Sequence, residues 1–146
     1  MSAAHILIID DDERLRDLLQ RFLSESGFLV TAAGSAKEAR AFLVGTLFDL
    51  LVIDVMMPEE TGTQFLEDLR KRSAVPALFL TAINETEDRI AGLETGADDY
   101  IAKPFEPREL ILRIKRILAR QELAERPSLV QFGLFSYDTD RQILME

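Results

Sequence analysis

Residues 6–13 read Ile-Leu-Ile-Ile-Asp-Asp-Asp-Glu, an uninterrupted apolar run that ends in four acidic side chains. Similar short apolar runs recur at residues 28–32, 50–53, 77–80 and 100–102. Because the hydrophobicity is continuous and does not alternate with polar residues, these runs are typical of strands covered on both faces, as in a parallel sheet. The sequence therefore predicts five parallel strands.

Between the predicted strands, apolar residues recur with helical spacing. The first such segment carries them at intervals of three and four residues, at Leu15, Leu18, Leu19, Phe22 and Leu23. Further helices are predicted to begin at Ser35, ahead of Phe65, near Asn84 and at Pro107. Strand and helix thus alternate five times, which predicts an α/β fold: a doubly wound, flavodoxin-like parallel sheet of order 2-1-3-4-5 with five helices.

Composition excludes several classes of function. The net charge of −9 and the pI of about 4.7 would repel a phosphate backbone, so this segment is not expected to bind nucleic acid. The chain has no cysteine, which excludes disulfides and thiolate metal sites. No apolar stretch approaches the roughly 18 residues of a membrane span. We predict a cytoplasmic protein with no membrane partner.

The pattern changes after residue 120. Residues 121–128 are polar and contain a proline, which predicts a linker. Residues 129–146 predict a β-hairpin, since two loosely alternating stretches flank turn residues at 138–140. Two strands alone are only marginally stable in water. We therefore predict one domain over residues 1–120 and, at 129–146, the start of a second domain that the sequence does not complete.

Aspartates end the first and third predicted strands. Asp10 and Asp11 follow strand one, and Asp54 closes strand three. In this fold, sites form beyond the carboxyl ends of the strands, near the point where strand order reverses. Carboxylates without His or Cys favour a hard cation, and a small set of protein ligands favours Mg²⁺ over Ca²⁺. The alternative is that residues 11–13 are only the acidic start of a helix, stabilised by its dipole.

Two further polar residues follow strands of the same predicted sheet. Thr81 ends the fourth strand and Lys103 follows the fifth. Each residue alone has an ordinary explanation, as a helix cap or a solvated side chain. Together with the aspartates, a hydroxyl and an ammonium group form a site for an anionic, oxygen-rich ligand such as a phosphoryl group.

The motifs that carry these residues resemble those of response-regulator receiver domains. They are Ile-Leu-Ile-Ile-Asp-Asp-Asp at 6–12, Val-Ile-Asp-Val-Met-Met-Pro at 52–58, Leu-Thr-Ala at 80–82, and Gly-Ala-Asp-Asp-Tyr-Ile-Ala-Lys-Pro-Phe at 96–105. The resemblance covers residues 5–120. It implies that Asp54 accepts a phosphoryl group from a sensor histidine kinase. It also implies that Mg²⁺, or Mn²⁺ in its place, binds the Asp11 and Asp54 carboxylates and the Met56 carbonyl, with Asp10 assisting through water.

The resemblance assigns roles at the other strand ends as well. Lys103 would contact the phosphoryl group, and Thr81 would swing toward it. Tyr100 would follow inward as the second switch residue, which would couple the site to the surface formed by the fourth helix, fifth strand and fifth helix. The Lys103–Pro104 peptide bond would be cis.

The fourth and fifth helices further resemble the dimerisation face of OmpR/PhoB-type winged-helix regulators. This predicted face comprises Arg89, Ile90, Leu93, Glu94, Asp98, Asp99, Glu109, Ile111, Arg113, Lys115 and Arg120. The expected cross-subunit pairs are Arg89 with Glu109, Asp99 with Arg113, Asp98 with Arg120, and Glu94 with Lys115. The alternative is an ordinary mixed-charge helix surface, on which each exposed pair contributes about 0–1 kcal/mol.

The implied function is that of a response regulator of a two-component system that forms a homodimer when phosphorylated. Residues 129–137 resemble the opening strands of a winged-helix effector, so control of transcription and DNA binding would require the missing part of that domain. The protein would catalyse only its own phosphorylation and dephosphorylation. An alternative is a phosphorylation-independent receiver that serves as a dimerisation module. A phosphatase that uses an aspartyl phosphate would want aspartate at position 56, where this chain has Met56.

Overall fold

The computed structural model describes residues 3–82 and 96–125. The strands in these ranges are β1 (His5–Ile9), β2 (Leu29–Ala33), β3 (Leu50–Asp54), β4 (Ala77–Ala82) and β5 (Asp99–Lys103). The helices are α1 (Glu13–Glu25), α2 (Ala36–Gly45), α3 (Gly62–Leu69) and α4 (Pro107–Glu125), the last of which is the fifth helix of the prediction. The helix predicted near Asn84 and the hairpin predicted at 129–146 lie outside the described residues.

The five strands form one parallel sheet in the order β2-β1-β3-β4-β5. The predicted fold class and strand order are confirmed. Pairing sets Ile9 beside Ile53 and Thr81 beside Ala102, so the strands end at nearly the same level. We call the side of the molecule where the strands end the carboxyl end of the sheet, and the opposite side the amino end.

Alternate residues of each strand enter two separate cores, one on each face of the sheet. Leu7, Ile53 and Phe79 pack with residues of α2 and α3. Their strand neighbours, such as Ile8 and Val52, pack with residues of α1 and α4 on the other face. Because both faces are covered, the central strands are apolar at nearly every position, which explains the continuous runs in the sequence.

Helices α1, α2 and α3 begin after polar residues whose side chains accept hydrogen bonds from the first turn. Asp12 caps α1 by accepting from the Leu15 N–H at 3.2 Å, and Ser35 caps α2 by accepting from the Glu38 N–H at 3.1 Å. Thr61 and Gln64 form a reciprocal capping box at the start of α3. These caps fix where the chain turns from the carboxyl end of the sheet into each helix.

The last helix extends further than the sequence predicted, into the segment assigned to a linker. Residues 121–125, assigned to a linker at 121–128, continue α4 to Glu125. Their sequence is Gln-Glu-Leu-Ala-Glu, and these residue types are all strong helix formers, so their polarity does not oppose a helix. Residues 126–128 lie outside the described part. Among the helices that are described, none has the length and apolar character needed to cross a bilayer.

Candidate functional site

The carboxyl end of the sheet holds the buried polar groups. In the described part of the chain, the buried polar or charged side chains are those of Asp10, Asp54 and Thr81, with exposed fractions of 0%, 5% and 1%. They lie at or just beyond the ends of β1, β3 and β4. Burying a polar group is unfavourable unless it has a partner, and burying a charge is more so. Three such groups at one end of the sheet mark it as the candidate site.

Asp10, Asp11 and Asp54 form an acid cluster in which one carboxylate oxygen from each residue lies within 4.8 Å of the others. Backbone amides help to fix two of these groups. The Asp12 N–H donates to Asp10 Oδ1 at 2.9 Å, and the Met56 N–H donates to Asp54 Oδ1 at 3.3 Å. The structure thus brings together the three aspartates that the sequence singled out.

Lys103 reaches the acid cluster from the end of β5. Its Nζ lies 3.3 Å from Asp10 Oδ2 and 3.3 Å from Asp54 Oδ1. Burial alone would lower the pKa of Lys103, but the charges and hydrogen bonds of Asp10 and Asp54 outweigh it and raise that pKa. One ammonium therefore contacts two of the three carboxylates of the cluster. With all of these groups charged, the site would have a net charge of −2, which a divalent cation would neutralise.

The environment of Asp54 disfavours the charged form of its carboxyl group. Burial, with a further contribution from the nearby Asp10 carboxylate, raises the pKa of Asp54 to about 7, although Lys103 acts in the opposite direction. The ionised form that a nucleophile needs is therefore disfavoured until more positive charge is supplied. The donor set suits Mg²⁺, since it offers three carboxylates without His or Cys.

The Thr81 hydroxyl is the second sign that a ligand belongs here. It is buried, and Thr81 Oγ1 has no hydrogen-bond partner among the residues that the structure describes. A buried hydroxyl without a partner is uncommon in folded proteins. It lies at the end of β4, next to the strand that carries Asp54. An oxygen-rich ligand over the acid cluster would give this hydroxyl an acceptor.

Tyr100 lies on β5 opposite Phe79 of β4, and its partly buried side chain packs against the core under α2 and α3. The Lys103–Pro104 peptide bond is cis, as the resemblance implied. Met56, two residues beyond Asp54, is 60% exposed. The roles predicted for Tyr100 and Met56 stay predictions.

Two residues near the site were not singled out from the sequence. The Arg16 guanidinium donates to the Asp10 carbonyl at 2.9 Å, which holds the end of β1 from the first helix. Gly62 starts α3 so close to β3 that a Cβ there would lie 2.3 Å from the Asp54 carbonyl oxygen. Any larger residue would push α3 away from Asp54. In the sequence, the glycine that directly follows Pro-Glu-Glu-Thr was the signal that could have indicated this close approach.

The predicted dimer face is only partly described, and one of its described members, Ile111, is buried within the chain. Asp99, expected to pair with Arg113 across subunits, forms that ion pair within the chain at 3.0 Å, and Arg113 also binds Glu109 at 3.1 Å. The pairing of Asp99 with Arg113 across subunits stays a prediction. Ile111, expected at the surface, is only 8% exposed and belongs to the core between the sheet, α1 and α4.

The other members of that face have mixed positions. Asp98 accepts from the Ala77 N–H at 2.9 Å and lies 3.7 Å from Arg70, so it has partners within the chain. Lys115 and Arg120 are exposed on α4. The remaining predicted members, Arg89, Ile90, Leu93 and Glu94, lie outside the described residues.

A groove of about 960 Å³ opens at the amino end of the sheet, far from the acid cluster. It is lined by the segments that precede β1, β3 and β4 and by the last turns of α4. Its polar residues include Arg40, Asp68 and Arg72, which are already paired with one another. The walls of this groove contain none of the buried polar groups described above.

Comparison with known proteins agrees with this site. The chain matches the model of the response regulator receiver domain family over residues 6–115. It is 54% identical over 142 residues to protein PetR of Rhodobacter capsulatus, covering 96% of this chain and 60% of that protein. It is 40% identical over 152 residues to transcriptional regulatory protein AruR of Pseudomonas aeruginosa, covering 97% of this chain and 62% of that protein. This chain thus spans about three fifths of the length of these relatives.

A solved structure gives the same result. The receiver domain of Francisella response regulator 1452 superposes with a TM-score of 0.76 at 36% identity, covering 81% of this chain and 98% of that one. The named transcriptional regulators among the relatives agree with the predicted OmpR/PhoB-type subfamily. Since the family model spans most of the chain and relatives at 40% identity or more align with nearly all of it, the protein belongs to the response regulator receiver domain family.

Proposed function

We propose that this protein is a phosphorylation switch in which Asp54 accepts a phosphoryl group from a sensor histidine kinase in a Mg²⁺-dependent reaction. Phosphorylation of an aspartate in the presence of Mg²⁺ is general for the receiver family. The observation that carries the proposal for this chain is the burial of Asp10, Asp54 and Thr81 around Lys103 at one end of the sheet. The cost of burying these groups is explained if they bind a phosphoryl group and a cation.

In the proposed reaction, an Asp54 carboxylate oxygen attacks the phosphorus of a phosphohistidine on the kinase. The new bond is P–O, the P–N bond breaks, and its electron pair returns to the histidine nitrogen. Lys103, already 3.3 Å from Asp54, would neutralise charge on the transferred group. The Thr81 hydroxyl would donate a hydrogen bond to it. The chain would thus catalyse only its own phosphorylation and dephosphorylation.

The Asp11 and Asp54 carboxylates and the Met56 carbonyl would hold Mg²⁺ directly, and Asp10 would assist through water. Mn²⁺ could use the same oxygen ligands. When bound, the ion would neutralise charge on the phosphoryl oxygens and would favour ionised Asp54. Asp11 is exposed while Asp10 and Asp54 are buried, so the cluster is open to solvent at one side.

The proposed output is a change of surface. Hydrogen bonding of Thr81 to the phosphoryl group and an inward movement of Tyr100 would alter the adjoining surface of β5 and α4 and favour a homodimer. In a longer protein, like the relatives, that change would control transcription through a DNA-binding domain. We place this activity in the cytoplasm, without a membrane partner.

The test is incubation with Mg²⁺ and acetyl phosphate, followed by intact-mass and size-exclusion measurements. The wild type should gain the mass of one phosphoryl group and shift toward a dimer, whereas Asp54→Asn should do neither. Asp17→Asn is the matched control, since Asp17 is an exposed aspartate on α1. An adduct on Asp54→Asn, or none on the wild type, would overturn the proposal. Dimerisation without an adduct would favour the phosphorylation-independent module.

A further inference from the structure

The loop at residues 55–61 joins Asp54 to α3 and carries Met56. Its two ends are joined by the hydrogen bond from the Gly62 N–H to the Val55 carbonyl, at 2.8 Å. Between these ends the backbone turns sharply, with Glu59 at a φ of 71° and the Glu60 N–H donating to the Pro58 carbonyl at 2.8 Å. The position of the loop therefore also depends on the side-chain contacts of its central residues.

An ion pair from another helix holds this part of the loop. Arg40 of α2 binds Glu60 in a bidentate geometry, with both N···O distances at 2.6 Å. In the described part of the chain, this is the salt bridge that connects loop 55–61 to another element. The hydrogen bond to Arg40 lowers the pKa of Glu60, so Glu60 is charged at neutral pH. A bidentate pair of this kind fixes orientation as well as distance.

Arg40 is itself held in place by α3. Its second guanidinium nitrogen binds Asp68 at 3.1 Å, and its guanidinium carbon lies 5.1 Å from the centre of the Phe65 ring. The side chains of Arg40 and Glu60 are 39% and 30% exposed, so the pair alone would add little stability. Its anchoring on two residues of α3 makes it a rigid contact for the loop, in contrast to a mobile surface pair.

We propose that the Arg40–Glu60 ion pair is a positioning element for the metal site, which holds loop 55–61 so that the Met56 carbonyl is ready to bind Mg²⁺. This inference rests on the proposed function, because it takes the Met56 carbonyl as a metal ligand. Arg40 would act through Glu60 and the loop backbone and would not touch the metal. Glu60 is four residues from Met56, so its effect on metal affinity should be smaller than that of a direct outer-shell partner.

Simple electrostatics makes the opposite prediction for Arg40, which allows a clear test. If only charge mattered, Arg40→Gln would remove a positive charge and strengthen Mg²⁺ binding, whereas Glu60→Gln would weaken it. If the ion pair positions the loop, both single variants should weaken binding. The double variant should bind Mg²⁺ no more weakly than the weaker-binding single variant. Either substitution alone already removes the ion pair, so the second has nothing further to remove.

The experiment is a Mg²⁺ titration followed by the amide resonances of residues 54–62, with the whole chain and no phosphodonor. We expect the dissociation constant to rise about three- to tenfold in Arg40→Gln and Glu60→Gln, below the roughly 10- to 100-fold effect of direct outer-shell partners. Arg72→Gln is the matched control: Arg72 also binds Asp68 and carries the same charge, but it does not contact the loop. It should leave the dissociation constant within twofold of wild type.

Arg40→Lys guards against loss of folding in the glutamine variant. It keeps the charge but not the bidentate geometry, and should give an intermediate dissociation constant. A cooperative unfolding transition, measured without Mg²⁺, will show that a variant is folded. Equal or tighter Mg²⁺ binding by Arg40→Gln or Arg40→Lys, while wild type binds Mg²⁺, would overturn this inference alone. Failure of wild type to bind Mg²⁺ would overturn both the inference and the proposed function.

Discussion

The two ends of the sheet have opposite distributions of side chains. At the carboxyl end, Asp10, Asp54 and Thr81 are buried, whereas at the amino end the apolar Val44 and Leu47 are 89% and 95% exposed. The amino end also has the groove of about 960 Å³. Isolated exposed apolar residues are common, but buried polar groups require a compensating interaction. The comparison shows that buried polarity, and not cavity volume, locates the site of this protein.

The largest difference in the free energy of unfolding is expected for Asp54→Asn in the absence of metal. Because burial raises the pKa of Asp54 to about 7 from 3.8, the folded state binds more protons than the unfolded state between these values. The free energy of unfolding of wild type should therefore fall as pH rises from 4 to 7. Asparagine cannot ionise, so the variant should be more stable at pH 8 by about 2–4 kcal/mol.

Urea unfolding in EDTA at pH 8 and at pH 4.5 measures this difference. The gain in Asp54→Asn should shrink at the lower pH, where folded wild type already holds the proton. A gain that is absent at pH 8, or equal at both pH values, would contradict the raised pKa.

A smaller effect is expected from the buried hydroxyl of Thr81. Thr81→Val removes a hydroxyl that has no partner in the described residues, and should raise the free energy of unfolding by up to about 1 kcal/mol. Thr31→Val is the contrasting variant, since Thr31 Oγ1 bonds His5 Nε2 at 2.7 Å. The free energy of unfolding of Thr31→Val should fall by about 1 kcal/mol.

Unfolding of both threonine variants under the same conditions checks the contrast. The Thr81→Val protein should be folded, and it should form less dimer than wild type when phosphorylated. A Thr81→Val protein that is as destabilised as Thr31→Val would mean that the Thr81 hydroxyl is already satisfied without ligand.

The smallest effect is expected at the amino end. Leu47→Ser removes an almost fully exposed side chain from the rim of the groove, so the free energy of unfolding should change by less than about 0.5 kcal/mol. Its phosphorylation by acetyl phosphate should match that of wild type. A marked loss of phosphorylation in Leu47→Ser would show that the amino end takes part in the reaction, and would break the distinction between the two ends.

The fold and the acid cluster could be predicted from the sequence for the same reason. Parallel strands covered on both faces leave continuous apolar runs, and the residues that end those runs must meet at one side of the sheet. Asp10, Asp54, Thr81 and Lys103 each follow such a run directly. Their proximity is therefore a consequence of topology and needs no knowledge of side-chain packing.

What the sequence did not reveal depends on side-chain packing. Arg40 and Glu60 are 20 residues apart on different elements, and no periodicity connects them. Ile111 was placed at the surface, but α4 has a broad apolar stripe that also includes Leu110 and Ile114, and it buries all three. Arg113 could reach Asp99 in its own chain or in a partner, and the residue types alone do not distinguish these geometries.

The most direct test of the proposed phosphorylation is to identify the residue that carries the phosphoryl group. After treatment with acetyl phosphate and Mg²⁺, borohydride reduction of the acyl phosphate followed by peptide mass spectrometry would mark the modified aspartate. We predict modification of Asp54 alone, and loss of this modification when Mg²⁺ is chelated. Modification of Asp10 or Asp11 in place of Asp54, or labelling that is unaffected by chelation, would contradict it.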